Sequence, residues 1–155
     1  MRRKIYLTQL GLLEARGELN HLIHVHRPIV IQMLKDSYSF GSLSENSDYE
    51  YAKCEQAIVE KRIKELESLI KGAVIVTDIN TNEVSIGCQV KLQFFPHNNI
   101  ETYTIVGTEE ANPLRNKISN ESPIVKAILG KKVNDIVSVI LDKCNEYQVK
   151  ILKIM

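Results

Sequence analysis

Acidic residues are concentrated in a short polar segment, residues 39–50, in the first third of the chain. Glu45, Asp48 and Glu50 place three carboxylates close together, and Asp36 lies a few residues before the segment. Residues three apart are neighbours on a helix surface, so Glu45 and Asp48 would share one face if a helix has begun. One interpretation of this spacing is a functional carboxylate site, which a facing helix could extend with Asp36, although the pattern alone favours helix capping.

The same residues also fit a purely structural role. Ser42 with Glu45, and Ser47 with Glu50, match the capping-box pattern that satisfies free N–H groups where a helix starts. Acids in a first turn complement the helix dipole as well. Whether these residues cap a helix or form a functional carboxylate site therefore depends on the secondary structure on either side of the segment.

Two stretches with helical periodicity flank the acidic segment and predict an antiparallel hairpin, in which each helix buries its apolar stripe against the other. The stripes are predicted to comprise Leu12, Ala15, Leu19, Leu22, His26, Ile29 and Met33 in the first helix, and Tyr49, Ala52, Gln56, Val59, Ile63, Leu66 and Ile70 in the second. Arms of about 25 to 30 residues would reach roughly 40 Å. Two helices that long, carrying a small polar loop, favour function over stability alone.

Turn and cap residues mark the ends of these elements. Thr8 suits the start of the first helix, and Gly72 suits the end of the second. Pro28 should bend the first helix without ending it. After Gly72, β-branched segments separated by turns predict strands near residues 73–76, 90–94, 103–106, 136–141 and 147–154, and Ser122-Pro123 predicts a short helix.

The predicted fold class is therefore α+β. Residues 1–72 would form an N-terminal antiparallel coiled-coil hairpin with its acidic tip loop at 39–50. Residues 73–155 would form a small antiparallel β-sheet domain with a short helix. The hairpin satisfies its own apolar stripes, so a monomer is expected.

Composition excludes several classes of protein. The 155 residues carry 20 Lys and Arg against 19 Asp and Glu, so no global field drives non-specific binding to nucleic acid or membranes. The apolar run after Lys4 is too short for a signal peptide, and no run approaches the ~18 residues of a membrane span. Cys54, Cys88 and Cys144 form no CxxC pair, which indicates neither a disulfide framework nor a zinc site. A cytoplasmic location is expected.

The predicted tip contains the run Gly41-Ser42-Leu43-Ser44-Glu45-Asn46-Ser47-Asp48-Tyr49. This run resembles the pattern G-D-L-x-E-N-x-[DE]-Y of the bacterial Gre family of transcript cleavage factors. Further similarities lie at Arg27-Pro28, Arg62-Ile63, Tyr103-Thr104-Ile105-Val106-Gly107, Ser122-Pro123-Ile124 and Leu129-Gly130-Lys131. The resemblance covers nearly the whole chain.

This resemblance implies an FKBP-like C-terminal domain that docks on the rim of the RNA polymerase secondary channel, and a hairpin that enters the channel. Such factors stimulate the polymerase to cleave the RNA 3′ end in backtracked complexes and are not nucleases alone. The resemblance assigns Glu45 as a ligand of a Mg²⁺ ion held jointly with polymerase, and Asp48 is a candidate to assist it. Ser42, Asn46, Tyr49 and Lys53 are assigned to contacts with polymerase or with the nascent RNA.

Ser42 departs from the family pattern, which has a metal-binding aspartate there. Serine caps a helix about as well, but a neutral hydroxyl adds no charge to a metal site. Three outcomes follow: Asp48 or Asp36 completes the site with Glu45, the factor occupies the channel without stimulating cleavage, or the hairpin is an adaptor unrelated to polymerase. The sheet-domain motifs disfavour the third.

Two further expectations concern other contacts. Tyr38 stands where the family often has arginine, and only Lys53 matches the family's basic patch, which predicts weaker and less salt-sensitive RNA contact. The FKBP-like resemblance raises prolyl isomerase activity as an alternative role for the sheet domain. Its few aromatic residues and lack of tryptophan favour docking instead.

Overall fold

The computed structural model describes residues 3–38 and 43–155, and the description of side chains resumes at residue 47. The chain divides into two compact units. One comprises Leu12–Gly72, and the other comprises the residues up to Gly11 together with Ala73–Met155. The predicted border after residue 72 matches this division, whereas the predicted assignment of the first eleven residues to the hairpin differs from it.

The first residues join the sheet-containing unit because two short strands pair. Strand β1 (Tyr6–Thr8) lies parallel to β2 (Val74–Val76), and the Val74 N–H also donates to the Ile5 carbonyl at 2.8 Å. A parallel pair needs a long connection, and the hairpin supplies it. Three-residue strands carry too little periodicity to reveal such a pairing from sequence.

The Leu12–Gly72 unit is an antiparallel helical hairpin, as predicted. Its first arm runs through α1 (Gln9–His21), a π-helical turn (Leu22–His26) and α2 (Arg27–Tyr38). Its second arm is the single helix α3 (Leu43–Gly72). The first arm continues past Pro28, so the prediction that this proline does not end the helix is confirmed.

The π-helical turn ends two residues before Pro28. The Arg27 N–H bonds to the Leu22 carbonyl, five residues earlier. Proline has no N–H, so it makes no backbone bond to the preceding turn, and the wider turn occurs where the regular ladder is interrupted.

The π-helical turn shifts the apolar stripe of the first arm by one residue. Ala15 and Leu22 are buried as predicted, but Ile29 is 54% exposed while Val30 is 1% exposed. The prediction for Ile29 is wrong because a π turn adds one residue to the helical repeat. The second stripe is confirmed at every position, each of which is buried or half-buried.

The other unit contains a five-stranded sheet, with strand order β5-β4-β3-β7-β6. The strands are β3 (Gln89–Phe95), β4 (Asn99–Val106), β5 (Lys117–Ser119), β6 (Ile136–Asp142) and β7 (Asn145–Ile154). All neighbours are antiparallel except β4 and β5, which are parallel. The sheet is therefore mixed, which corrects the predicted antiparallel sheet. Two 3₁₀ turns, Thr108–Glu110 and Pro113–Arg115, lie in the connection between β4 and β5.

The short helix α4 (Pro123–Ile128) confirms the prediction from Ser122-Pro123. The Val125 N–H donates to the Ser122 hydroxyl at 3.4 Å, and Gly130 follows with a φ of +77°. Val125 and Ile128 pack into the core between this helix and the sheet. That core comprises Val84, Cys88, Val90, Leu92, Ile105, Val125, Ile128, Val139, Val149, Ile151 and Ile154.

The shifted stripe makes a test by paired substitution. Val30→Ala should destabilise the hairpin by about 2 kcal/mol because it removes two buried methyl groups and leaves a cavity. Ile29→Ala, one residue away on the exposed side, should change stability by less than about 0.5 kcal/mol. Urea unfolding followed by circular dichroism at 222 nm measures both, and a larger loss for Ile29→Ala would contradict the π-shifted register.

Candidate functional site at the loop end of the hairpin

The acidic segment leads directly into α3. That helix begins at Leu43, so the prediction of a loop over residues 39–50 is wrong from residue 43 onward. Positions 45 and 48 are one helical turn apart, as their spacing predicted. Asp48 is exposed. Ser42 and the other residues of 39–42 lie outside the described residues, as do the side chains of Glu45 and Asn46. The capping and metal-binding roles assigned to Ser42 and Glu45 therefore stay predictions.

Two tyrosines join the helices next to this segment. Tyr38 ends α2 and Tyr49 lies in the second turn of α3. Their ring centroids are 5.0 Å apart with planes at 69°, an edge-to-face arrangement, and their hydroxyl oxygens lie 3.3 Å apart in a hydrogen bond. This bond lowers the pKa of Tyr49 and raises the pKa of Tyr38.

Lys53 completes the group from one turn further along α3. Its Nζ lies 5.2 Å from the centroid of the Tyr49 ring. A hydrogen bond with Tyr49 raises the pKa of Lys53, and the ammonium in turn helps to lower the pKa of Tyr49. The sequence pointed to each of these three residues separately, but eleven positions separate Tyr38 from Tyr49, and no local pattern signals their contact.

Asp36, the alternative acid of the predicted site, lies on the exposed side of α2. The side-chain amide of Gln32 donates to its Oδ1 at 2.9 Å. Within the described residues, no three His, Cys, Asp or Glu side chains form a group that could hold a metal ion. Mg²⁺ commonly takes one or two protein carboxylates and keeps several waters. The exposed Asp48, one turn from position 45, fits a shared ion whose remaining ligands come from elsewhere.

Arginine–glutamate pairs brace the two arms of the hairpin. Arg27 makes a two-pronged contact with Glu60, at 2.7 and 2.9 Å, and Arg62 makes another with Glu18, at 2.6 and 3.0 Å. The hydrogen bond from Arg62 lowers the pKa of Glu18. Both arginines belong to the motif matches in the sequence, and the structure shows them cross-linking the helices.

The sheet-containing unit has an aromatic group of its own. Phe94 packs edge-on against Tyr103 and at a tilt against Tyr147, with centroids 6.4 and 5.9 Å away. The Tyr103 hydroxyl donates to Glu101, and burial together with this bond raises the pKa of Tyr103 to about 12. A shallow hollow of about 410 Å³ lies beside Tyr147, lined also by Phe95, Pro96, Glu146 and Gln148.

Family comparisons cover both parts of the chain. Residues 5–75 match the model described as transcription elongation factor, N-terminal, and residues 79–155 match transcription elongation factor, GreA/GreB, C-term. The chain belongs to the GreA/GreB family. It is a Gre-type transcription elongation factor, and its similarities lie with GreA.

Relatives of this Gre factor match it over nearly their whole length. The transcription elongation factor GreA of Macrococcus caseolyticus is 48% identical over 155 residues, covering 99% of this chain and 98% of the relative. The GreA of Thermoanaerobacter pseudethanolicus is 49% identical over 141 residues, covering 90% of each chain. The crystal structure of GreA factor homolog 1 from Thermus thermophilus is 26% identical, covers 99% of each chain and gives a TM-score of 0.46.

The described part of this Gre factor contains no helix with the length and apolar content needed to cross a membrane.

The contact between Lys53 and Tyr49 predicts a measurable titration change. Lys53→Met should raise the pKa of Tyr49, because removing the nearby positive charge removes a stabiliser of the phenolate. NMR titration of ¹³C-labelled tyrosine measures the shift. Lys64 is an exposed lysine further along α3, so Lys64→Met is the matched control and should leave the pKa of Tyr49 unchanged. If the pKa of Tyr49 is unchanged or lower in Lys53→Met, the observed contact between Lys53 and Tyr49 is contradicted.

Proposed function

We propose that this Gre factor binds RNA polymerase through its secondary channel and rescues backtracked complexes by stimulating cleavage of the RNA 3′ end. The observation that supports this most is the delivery of acidic positions 45 and 48 at the start of α3, at the far end of a thirty-residue helix. At 1.5 Å per residue that helix is about 45 Å long. A rod of this length with carboxylates at its end suits a buried target that a compact domain could not reach.

The chemistry divides between the factor and its partner. Glu45 and Asp48 would hold a Mg²⁺ ion from the side of the factor, together with ligands from polymerase. The ion would supply Lewis-acid activation of the attacking water. Asp48 is exposed on α3, as a ligand to a shared ion must be. The factor alone is not a nuclease, because two carboxylates leave most positions around a Mg²⁺ ion to ligands from elsewhere.

Other tip residues make the remaining contacts. Asn46, Tyr49 and Lys53 lie within the first three turns of α3 and contact polymerase or the RNA 3′ end. Lys53 offers one positive charge to the RNA backbone, so RNA contact contributes a modest, salt-dependent share of binding. The sheet-containing unit docks on the channel rim. The factor acts as a monomer in the cytoplasm.

Ser42 supports a second candidate, a channel-binding regulator that does not stimulate cleavage. The family has an aspartate at this position, and a serine hydroxyl brings no negative charge to a metal. Loss of one of two carboxylate ligands weakens metal recruitment without preventing entry into the channel. The two candidates share polymerase binding and differ only in cleavage.

RNA cleavage in purified, deliberately backtracked polymerase complexes with Mg²⁺ separates these candidates. The wild type should stimulate cleavage, Ser42→Asp should increase it, and Glu45→Ala should reduce it at least tenfold, because a lost metal ligand costs 1.4 kcal/mol or more. Glu67→Ala removes an exposed carboxylate far along the same helix and serves as the matched control.

Each result has a distinct meaning. Cleavage by the wild type that vanishes in Glu45→Ala supports the metal-sharing mechanism. No stimulation by the wild type, with a gain in Ser42→Asp, supports the cleavage-deficient regulator. Failure of the wild type to compete for polymerase binding with a cleavage-competent family member would contradict both.

A further inference from the structure

We propose that the hydrogen-bonded Tyr38–Tyr49 pair is a positioning element that holds the start of α3, and with it Glu45 and Asp48, in the geometry used for cleavage. This inference rests on the proposed function and deepens it. The pair is defined by two contacts between the same residues: an edge-to-face ring contact at 5.0 Å and a hydroxyl–hydroxyl bond of 3.3 Å.

Residues 47–51, the part of the start of α3 whose side chains the structure describes, have little apolar packing of their own. Among the residues whose side chains are described, the first buried one in α3 is Ala52, and residues 47–51 are exposed or half-buried. Helix ends with few buried contacts open locally at low free-energy cost. The first turns of α3 therefore need a specific contact if their carboxylates are to keep one position.

The tyrosine pair supplies such a contact at the right place. Tyr38 is the last described residue before the loop and Tyr49 lies in the second turn after it, so the pair joins both helices beside the acidic segment. Tyr38 is 73% exposed, so it contributes little to the apolar core. Edge-to-face aromatic pairs and hydrogen bonds have preferred geometries, which fixes orientation as well as proximity.

Fixing Tyr49 also fixes the acidic positions. Asp48 directly precedes Tyr49, and position 45 lies four residues before it, one helical turn away on the same face. Lys53, one turn after Tyr49, has its Nζ 5.2 Å from the centre of the same ring. The Tyr49 ring is thus contacted by Tyr38 of α2 and Lys53 of α3. Positions 45 and 48, which we propose bind the metal ion, lie in α3 just before Tyr49.

Tyrosine-to-phenylalanine changes test the pair without removing the rings. The set is Tyr38→Phe, Tyr49→Phe and the double variant, with Tyr51→Phe as the matched control because Tyr51 is 59% exposed and lies two residues from Tyr49. Two readouts are needed: amide hydrogen exchange of residues 47–51, and RNA cleavage over a range of factor and Mg²⁺ concentrations.

Each single variant should raise amide exchange about two- to fivefold and lower the maximal cleavage rate by a similar factor. In Tyr38→Phe, the factor concentration at half-maximal effect should stay unchanged, because Tyr38 is assigned no contact with polymerase and positioning acts after binding. The double variant should be no worse than either single one, since all three lose the same hydrogen bond. Tyr51→Phe should match the wild type in both readouts.

Other patterns overturn the inference. Unchanged exchange in both single variants would show that the bond holds nothing in place. An effect of Tyr49→Phe with none from Tyr38→Phe would mean that the Tyr49 hydroxyl acts by direct contact with the partner. Raised exchange with unaltered cleavage would separate the pair from function.

The proposed function can fail separately. If the wild type stimulates no cleavage, the same variants are compared in the Ser42→Asp background. Cleavage there that falls in the tyrosine variants supports the positioning role. Absence of cleavage in both backgrounds refutes the proposed cleavage activity and the positioning inference together.

Discussion

The hairpin depends on one constraint: two long helices can bury only the stripes that they turn toward each other. Among the described residues, the buried ones of this seam are Ala15, Leu22, Val30, Ala52, Val59, Ile63 and Leu66, a narrow set for helices of this length. Every apolar residue in the seam therefore counts, and so does its register. The π-helical turn at Leu22–His26 keeps the stripe in contact across the proline by moving it from position 29 to position 30.

Polar contacts between the arms supplement this narrow core. The Arg27–Glu60 and Arg62–Glu18 pairs are half-exposed, so each adds little to the free energy of folding. Their two-pronged geometry instead sets how the helices slide and rotate against each other. Tyr38 and Tyr49 make a further contact between the arms, next to residues 39–42. Polar and aromatic contacts thus add orientation to a hairpin whose apolar seam is narrow.

In the sheet-containing unit, a group of hydrogen bonds joins the first turn of α1 to the turn after β4. The Thr8 hydroxyl accepts from the Gly11 N–H and donates to Glu110, whose carboxylate also accepts from the Thr8 N–H at 2.7 Å. The backbone of Tyr6 passes so close to Gly107 that a Cβ there would overlap the Tyr6 carbonyl oxygen. Thr8 therefore caps the helix and also connects β1 to the turn after β4. The sequence predicted the capping role but not the connection to Glu110.

Sequence alone determined the elements whose periodicity is long and regular. Residue spacing and capping chemistry predicted the hairpin, the complete second stripe, the Thr8 cap and the start of α4 at Ser122-Pro123. Spacing and capping depend on residues near each other in the chain, so the sequence shows them directly. The motif around Glu45 and Asp48 likewise identified the family and the acidic face.

Tertiary structure decided whatever depends on residues far apart. Three such features are the parallel pairing of Tyr6–Thr8 with Val74–Val76, the parallel pairing of β5 with β4, and the contact of Tyr38 with Tyr49. No local sequence pattern predicts them, because the partners are distant in the chain and meet only when it folds. The exchange of Ile29 for Val30 belongs here as well, since a π turn inserts its extra residue through backbone hydrogen bonding and not through side-chain type.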